Sequence, residues 1–258
     1  MSFIKNIVNL IYSGYCIVTF FIVLFLLMLA YAAVYWLDDR TRTLAAYKAN
    51  RILSYLWLKM CGYSLEVEGW DKVDPNRAYM FVGNHTNMLD LPVTGFFLQH
   101  YYKSLVKQEL KNVPIFRFLL RVSSVPVDRS STESRKRSTQ IIVEKLKSGI
   151  SFLIFPEGTR NKTDKPLKSF YSGAFKTAVM AQVPIVPMVY LDHRDLQPVG
   201  GYRFYPGHIR VKILDTIETS GMTYDQSDAL QEKIFKDIEG VILNEDEFYT
   251  TQKSLRAC

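Results

Sequence analysis

The chain opens on an unbroken apolar stretch and continues as short apolar runs that alternate with helical spacings. Positions 6–37 carry no charged side chain. That is enough for roughly 48 Å of helix at about 1.5 Å per residue, and about 20 residues suffice to cross a bilayer core. From Cys16 to Leu37 the run is almost wholly apolar, and Tyr31, Tyr35 and Trp36 stand at its end, where aromatic side chains favour the headgroup region. A membrane-embedded helix is the favoured reading. The alternatives are a cleaved signal peptide, with Ala30-Tyr31-Ala32 as its small-residue site, and a buried core helix. Asp38 to Tyr63 follows, carrying Arg40, Arg42, Lys48, Arg51 and Lys59. Its apolar residues Leu44, Tyr47, Ile52, Leu53, Leu56, Trp57 and Met60 are spaced by threes and fours, broadly on one helical face. This predicts a basic amphipathic helix in the membrane interface, or else an ordinary helix packed on the domain core. If the first helix spans, the positive residues after it set the remainder in the cytoplasm, at a bacterial inner membrane or its equivalent. If the two helices form a hairpin in one leaflet, that rule does not decide.

Beyond Tyr63 the period switches repeatedly between two and 3.6. Strands are expected at 63–68, 78–83, 102–107, 122–127, 150–155, 185–191 and 208–213. Helices are expected at 88–100, 115–121, 133–147, 174–182 and 224–244, with a frayed polar tail after Glu245. Strands alternating with helices imply an α/β fold, a mostly parallel mixed sheet flanked by helices. The predicted organisation is a two-helix membrane-docking segment, 1–62, followed by one α/β domain, 63–258.

Composition narrows the function classes. The 258 residues are 48% hydrophobic and 22% charged, ordinary for a globular chain and unlike a disordered or collagen-like one. A formal net charge of +7 favours an anionic partner: nucleic acid, an anionic membrane or a phosphorylated substrate. Arg135-Lys136-Arg137 is only a short run on a solvated helix face, so a nucleic-acid binder is disfavoured. Cys16, Cys61 and Cys258 form neither a disulfide framework nor a zinc pattern, and no cluster of His, Cys or carboxylate has metal-ligand spacing. A secreted α/β hydrolase would want a Gly-x-Ser-x-Gly elbow, which the sequence lacks.

Two blocks carry chemistry. In Asn84-His85-Thr86-Asn87-Met88-Leu89-Asp90 the histidine follows an apolar strand, where active sites of open α/β sheets gather. Asp90, five positions on, is suited to bond one imidazole nitrogen and leave the other as a general base, although a histidine at a helix start also serves as a simple cap. His100, His193 and His208 have no carboxylate at that spacing and read as surface or structural. In Phe155-Pro156-Glu157-Gly158-Thr159-Arg160, Gly158 permits a tight turn and Arg160 offers a planar fork suited to phosphate. Glu157 is suited to accept hydrogen bonds from a polyol or to pair with Arg160. The block follows the most apolar strand and so is expected at the same sheet edge as His85.

Together these blocks resemble the glycerolipid acyltransferase family. Its His-x4-Asp hallmark appears as His85 to Asp90, and its Phe-Pro-Glu-Gly-Thr-Arg box is unaltered at Phe155 to Arg160. Its intermediate block resembles Lys107-Gln108-Glu109-Leu110 through Val125-Pro126-Val127-Asp128-Arg129, and its Val-Pro-Ile-Val-Pro strand is similar to Val183 to Pro187. The resemblance implies acyl transfer from acyl-CoA or acyl-acyl-carrier-protein to the sn-2 hydroxyl of 1-acyl-sn-glycerol 3-phosphate, giving phosphatidic acid. Glycerol 3-phosphate, another lysophospholipid or an acylated amino acid is the alternative acceptor. It implies His85 as base, Asp90 as its support, no acyl-enzyme, no cofactor and no metal. Lys107, Arg129 and Arg160 would then hold the acceptor phosphate and Glu157 its glycerol oxygens, with Gly158 and Thr159 in the same substrate-binding turn and backbone amides near Gly158 facing the oxyanion. The implied partners are lysophosphatidic acid, the acyl donor, membrane lipids and an acyl carrier protein, with no nucleic acid. Leu91, Phe96, Phe97, Phe116, Phe118 and Leu119 are candidates for an acyl tunnel, with ordinary core packing as the stronger expectation.

Overall fold

In the computed structural model, which describes residues 2–107, 123–127 and 132–256, the alternating pattern resolves into a mixed sheet with helices on both faces. The chain starts with helices α1 (Ser2–Ala33) and α2 (Asp39–Met60) and continues through β1 (Tyr63–Glu68), β2 (Met80–Gly83), α3 (Asp90–Phe97), β3 (Tyr102–Lys107) and β4 (Ser124–Val127). It then runs through α4 (Thr132–Lys147), β5 (Ser151–Ile154), α5 (Gly173–Ala181), β6 (Ile185–Leu191), α6 (His193–Leu196), β7 (Gly207–Ile213), α7 (Ser227–Glu245) and α8 (Glu247–Arg256). The strand order is β1-β7-β6-β2-β5-β3-β4. Every described pairing is parallel except β6 with β7. The fully buried strands β2, β5 and β6 are continuously apolar, as a strand covered on both faces must be.

β6, β2 and β5 are parallel neighbours, so the loops after Leu191, Gly83 and Ile154 emerge at one edge of the sheet. This topology assembles the site. Gly83 ends β2 because a side chain there would strike the Tyr190 ring on the adjoining strand. Asn84 then ties the strand end to its neighbour, donating from Nδ2 to the Tyr190 carbonyl (3.0 Å) and accepting the Tyr190 N–H at Oδ1 (2.8 Å).

The most apolar window of α1 has a mean hydropathy of 2.7, and only 17% of it is buried. Phe3, Ile4, Leu10, Ile11, Val18 and Phe21 all face outward. α2 is capped by Asp38, whose carboxylate accepts from the N–H of Arg40 and Thr41. The single apolar face expected for α2 is divided. Trp57 turns inward with Thr43, Ala46 and Ser54, whereas Ile52, Leu56 and Met60 are exposed. One core cluster joins Cys16, Trp57 and Cys61 of the helix pair to Phe81, Met188 and Ile209 of the sheet. At the far end, Asp39 receives Arg42 (2.9 Å), Lys103 on β3 (2.7 Å) and Lys145 on α4 (2.5 Å). Burial opposes the charge on Asp39, but the three cations outweigh it and hold the carboxyl below the usual carboxylate range.

Several boundaries differ from the pattern, among them the end of the helix expected to reach His100, which stops at Phe97, and the start of the strand expected from Ala78, which begins at Met80. The helix expected from Met88 begins at Asp90, because residues 84–89 wrap around the Asp90 carboxylate instead. The expected 224–244 helix opens as a separate turn, Tyr224–Gln226, with Thr223 and Gln226 capping each other. The tail expected to fray is α8, anchored by buried Tyr249, which donates to the Lys165 carbonyl (2.8 Å). The helix expected at 115–121 lies outside the described residues.

Candidate active site

His85 sits in the loop after β2, and the structure brings it against Asp90. Nδ1 of His85 is 2.6 Å from Asp90 Oδ2. The same oxygen accepts the backbone N–H of Thr86 (2.7 Å) and Asn87 (3.1 Å), so the loop folds around the carboxylate at the N-terminus of α3. With Nδ1 committed to Asp90, Nε2 is the nitrogen left for chemistry, and the imidazole is partly exposed. Its plane lies on the Phe155 ring, with centroids 4.4 Å apart and planes at 17°. The first aromatic of the second block thus fixes the ring of the first.

Asp90 is fully buried and has a second imidazole: its Oδ1 lies 2.5 Å from Nδ1 of His193, which is 1% exposed. Burial would raise the Asp90 carboxyl, but the bonds from His193 and then His85 outweigh it and keep it below the usual carboxylate range. The sequence reading missed His193, and the signal was available. An apolar strand, Ile185–Leu191, runs directly into Asp192-His193, just as β2 runs into Asn84-His85. Of the other histidines, His100 is buried among Trp70, Tyr79 and Phe81, where desolvation lowers it to about 4. His208 lies at the surface with Glu66 (2.9 Å).

The second block lies against the first, at the edge the parallel β2–β5 pairing dictates. Glu157 is 1% exposed, and its carboxylate oxygens bond backbone N–H groups; no ion pair with Arg160 is found among the described residues. Oε1 accepts the His85 N–H (2.7 Å) and Oε2 accepts the Lys168 N–H (3.0 Å). Burial raises the Glu157 carboxyl, and these two N–H groups only partly offset that. Asn161 completes the clamp by donating its N–H to the His85 carbonyl (2.7 Å). Gly158 adopts φ +74°, a left-handed turn that a side chain would strain, and its N–H goes to the Phe155 carbonyl (3.0 Å) rather than standing open for an oxyanion. Thr159 is exposed and accepts from Lys168 Nζ (2.6 Å).

Arg160 is exposed and lines a small polar recess of about 80 Å³ with Thr86, Asn87, Lys162 and the loop around Gly200. Lys107 closes β3 at the same sheet edge, but its side chain and the whole of Arg129 lie outside the described residues. A larger, mostly apolar cavity of about 310 Å³ runs between α1, α2 and the sheet, lined by Leu24, Leu27, Trp57, Leu91 and Leu153 among others. Of the tunnel candidates, Leu91 lines it, Phe96 and Phe97 pack into the core instead, and Phe116, Phe118 and Leu119 are outside the described residues. Among the described residues no group of three or more His, Cys, Asp or Glu side chains converges as a metal site.

Comparison with known proteins bears on family and fold. A family model described as Acyltransferase matches residues 64–191. The human 1-acyl-sn-glycerol-3-phosphate acyltransferase alpha is 30% identical over 211 residues, covering 81% of this chain and 74% of that protein. This chain belongs to the 1-acyl-sn-glycerol-3-phosphate acyltransferase family. The Haemophilus influenzae 1-acyl-sn-glycerol-3-phosphate acyltransferase is 31% identical over 157 residues, 60% of this acyltransferase and 64% of the relative. The alignment to a Caenorhabditis elegans relative likewise spans 64% of that protein's length. The crystal structure of the 1-acyl-sn-glycerophosphate acyltransferase from Thermotoga maritima superposes with a TM-score of 0.75 at 23% identity, covering 91% of this acyltransferase and 95% of that chain, so the two share a fold.

Proposed function

We propose that this acyltransferase moves an acyl group from a thioester donor, acyl-CoA or acyl-acyl-carrier-protein, to the sn-2 hydroxyl of 1-acyl-sn-glycerol 3-phosphate. The observation that carries the reading is the 2.6 Å contact of His85 Nδ1 with the buried Asp90 carboxylate, which leaves Nε2 as the base, while Arg160 lines a recess with the next two residues of the same loop, Thr86 and Asn87. Nε2 takes the hydroxyl proton as the oxygen attacks the thioester carbonyl. The imidazolium is stabilised by Asp90, and collapse of the tetrahedral intermediate expels the thiolate, which recovers the proton from His85. The hydroxyl is the nucleophile throughout, so no acyl-enzyme forms. Arg160 holds the acceptor phosphate, with Lys107 and Arg129 as the further cations the family resemblance implies. Glu157 acts through the His85 backbone rather than on the glycerol.

Docking at the membrane follows from the outward apolar face of α1 and the basic residues after it, which favour a cytoplasmic catalytic domain. An acceptor drawn laterally from the leaflet keeps its chain out of water, saving about 0.8 kcal/mol per methylene. The apolar cavity lined by Leu91, the residue after Asp90, is suited to an acyl chain. The test is a panel assay: purified protein, one labelled acyl-CoA and separate acceptors, with products identified by mass. Lysophosphatidic acid should be converted fastest, to phosphatidic acid, and donor alone should leave no acylated protein. Preferential acylation of glycerol 3-phosphate or of a lysophospholipid headgroup would redirect the assignment, and a donor-dependent acyl-protein adduct would defeat the direct-attack mechanism.

A further inference from the structure

We infer that His193 is a positioning residue for the reaction: its Nδ1–H pins Oδ1 of Asp90, so that Oδ2 is presented to His85 with its charge shared between two imidazoles. This rests on the reading of His85 as the base. The geometry assigns the two carboxylate oxygens different tasks. Oδ2 collects His85 Nδ1 and the N–H of Thr86 and Asn87, while Oδ1, among the described residues, bonds His193. Without that bond, Oδ1 would be buried with no donor among the described residues, and only the Oδ2 contacts would orient the carboxylate.

His193 is itself rigidly set. It follows β6 after Asp192, which takes a left-handed φ of +66°. Asp192 is held by Arg210 (2.5 and 2.8 Å) and by the Glu247 N–H (3.2 Å). The His193 carbonyl accepts from Asn87 Nδ2 (2.6 Å), which ties the two histidine-bearing loops to each other. The ring packs edge-on to Tyr190 at 5.5 Å, and its Nε2 is buried with no hydrogen-bond partner. An imidazole buried at the expense of one unpaired nitrogen is held there by what the other nitrogen does, and that nitrogen meets Asp90.

The consequence is chemical as well as structural. A carboxylate that accepts a second N–H has less negative charge to offer the imidazolium that forms on His85. The other charged groups around His193 are engaged elsewhere. Asp192 pairs with Arg210. Arg194 donates to the carbonyls of Thr163 and Lys165 and sits over Phe248 and Tyr249. Asp246 accepts the Asp192 and Phe248 N–H groups, Asp195 and Glu247 lie on the α8 side, and Glu157 faces the backbone of His85. Asp90 is therefore the group through which a change at His193 reaches His85.

Three substitutions in the full-length protein separate positioning from packing. In His193→Asn the amide nitrogen occupies the Nδ1 position. In His193→Gln the same amide is displaced toward the Nε2 position, and His193→Leu has no donor. The readout is kcat/KM and kcat against pH for lysophosphatidic acid and acyl-CoA, with thermal melts to verify folding. Gln and Leu should lower kcat about tenfold with both KM values nearly unchanged, and should move the acid limb of the profile upward. Asn should restore the wild-type limb and most of kcat. If Leu does not fold, the Asn and Gln pair decides. A folded Gln variant with the wild-type limb and kcat, or an Asn variant that behaves like Gln, overturns the inference. His85→Ala run alongside distinguishes the failures: retained turnover there defeats the base assignment itself, whereas an inactive His85→Ala with an unmoved limb in His193→Gln defeats only the role of His193.

Discussion

Two buried carboxylates flank His85, and they differ in what they hold. Asp90 and Glu157 are both almost wholly removed from solvent. Asp90 faces two imidazole N–H groups and two amides, and its carboxyl is held below the usual range. Glu157 faces only the amides of His85 and Lys168, and burial leaves its carboxyl raised. Burial raises both carboxyls; the partners decide the outcome. Asp90 can answer a charge that appears on His85, because it touches the ring. Glu157 touches only the backbone, so it fixes where the ring stands without meeting the reacting atoms. The glutamate beside His85 is thereby a support for the loop, and the aspartate is the electrostatic partner of the ring.

The comparison breaks first at Asp90. Asp90→Asn presents an amide to at least one N–H donor and disfavours the ring tautomer that leaves Nε2 bare, so kcat should fall by about 10³–10⁴-fold with the fold retained. A loss below tenfold in steady-state turnover would reduce Asp90 to the same rank as Glu157. Glu157→Gln should cost less, about ten- to a hundredfold in kcat, together with about 1–3 kcal/mol of stability, because one of the two N–H groups then meets another donor. Denaturant melts and turnover on the same sample check both figures.

Acid sharpens the contrast, because the two carboxyls are shifted in opposite directions. The lowered Asp90 contributes stability that is present above its ordinary value, about pH 3.9, and lost as pH falls below it, so the stability gap between wild type and Asp90→Asn should close on acidification. The raised Glu157 makes the ionised folded state costlier. Wild-type stability from this group is fully present below the ordinary glutamate value and falls as pH rises through the raised one, so the gap to Glu157→Gln should open on acidification. Urea melts between about pH 3 and 7 read both slopes; parallel slopes would contradict the distinction.

Much of this arrangement is legible before any coordinates. Continuous apolar runs at Phe81–Val82, Phe152–Ile154 and Ile185–Val189 mark buried parallel strands, and parallel neighbours deliver their following loops to one edge. That is why His85 and the Phe155–Arg160 block meet as expected. Three features depend on partners far away in sequence. His193 meets Asp90 across a separation of 103 residues. Glu157 turns inward because Gly158 takes a left-handed turn, a choice the hexapeptide permits without requiring. The polar tail becomes α8 because Tyr249 reaches the Lys165 carbonyl 84 residues away. The basic second helix is legible as a helix, but not as one with two working faces, since apolar residues look alike whether they meet the sheet or the outside.

Arg160 gives the smaller tests. Arg160→Ala should raise the acceptor KM about tenfold and leave the donor KM unchanged, as measured by varying each substrate in turn. An equal rise in both would argue against a grip on the acceptor phosphate. Because Glu157 bonds backbone rather than Arg160, a double-mutant cycle between them on kcat/KM should show coupling below about 0.5 kcal/mol. Strong coupling would restore the ion pair expected from the hexapeptide alone.

The most direct measurement is turnover of His85→Ala at saturating acyl-CoA and lysophosphatidic acid, paired with a thermal melt and vesicle binding that match wild type. The account predicts a loss of at least about 10³-fold in kcat from a folded, membrane-bound enzyme. Turnover within tenfold of wild type, from the same folded protein, would contradict it.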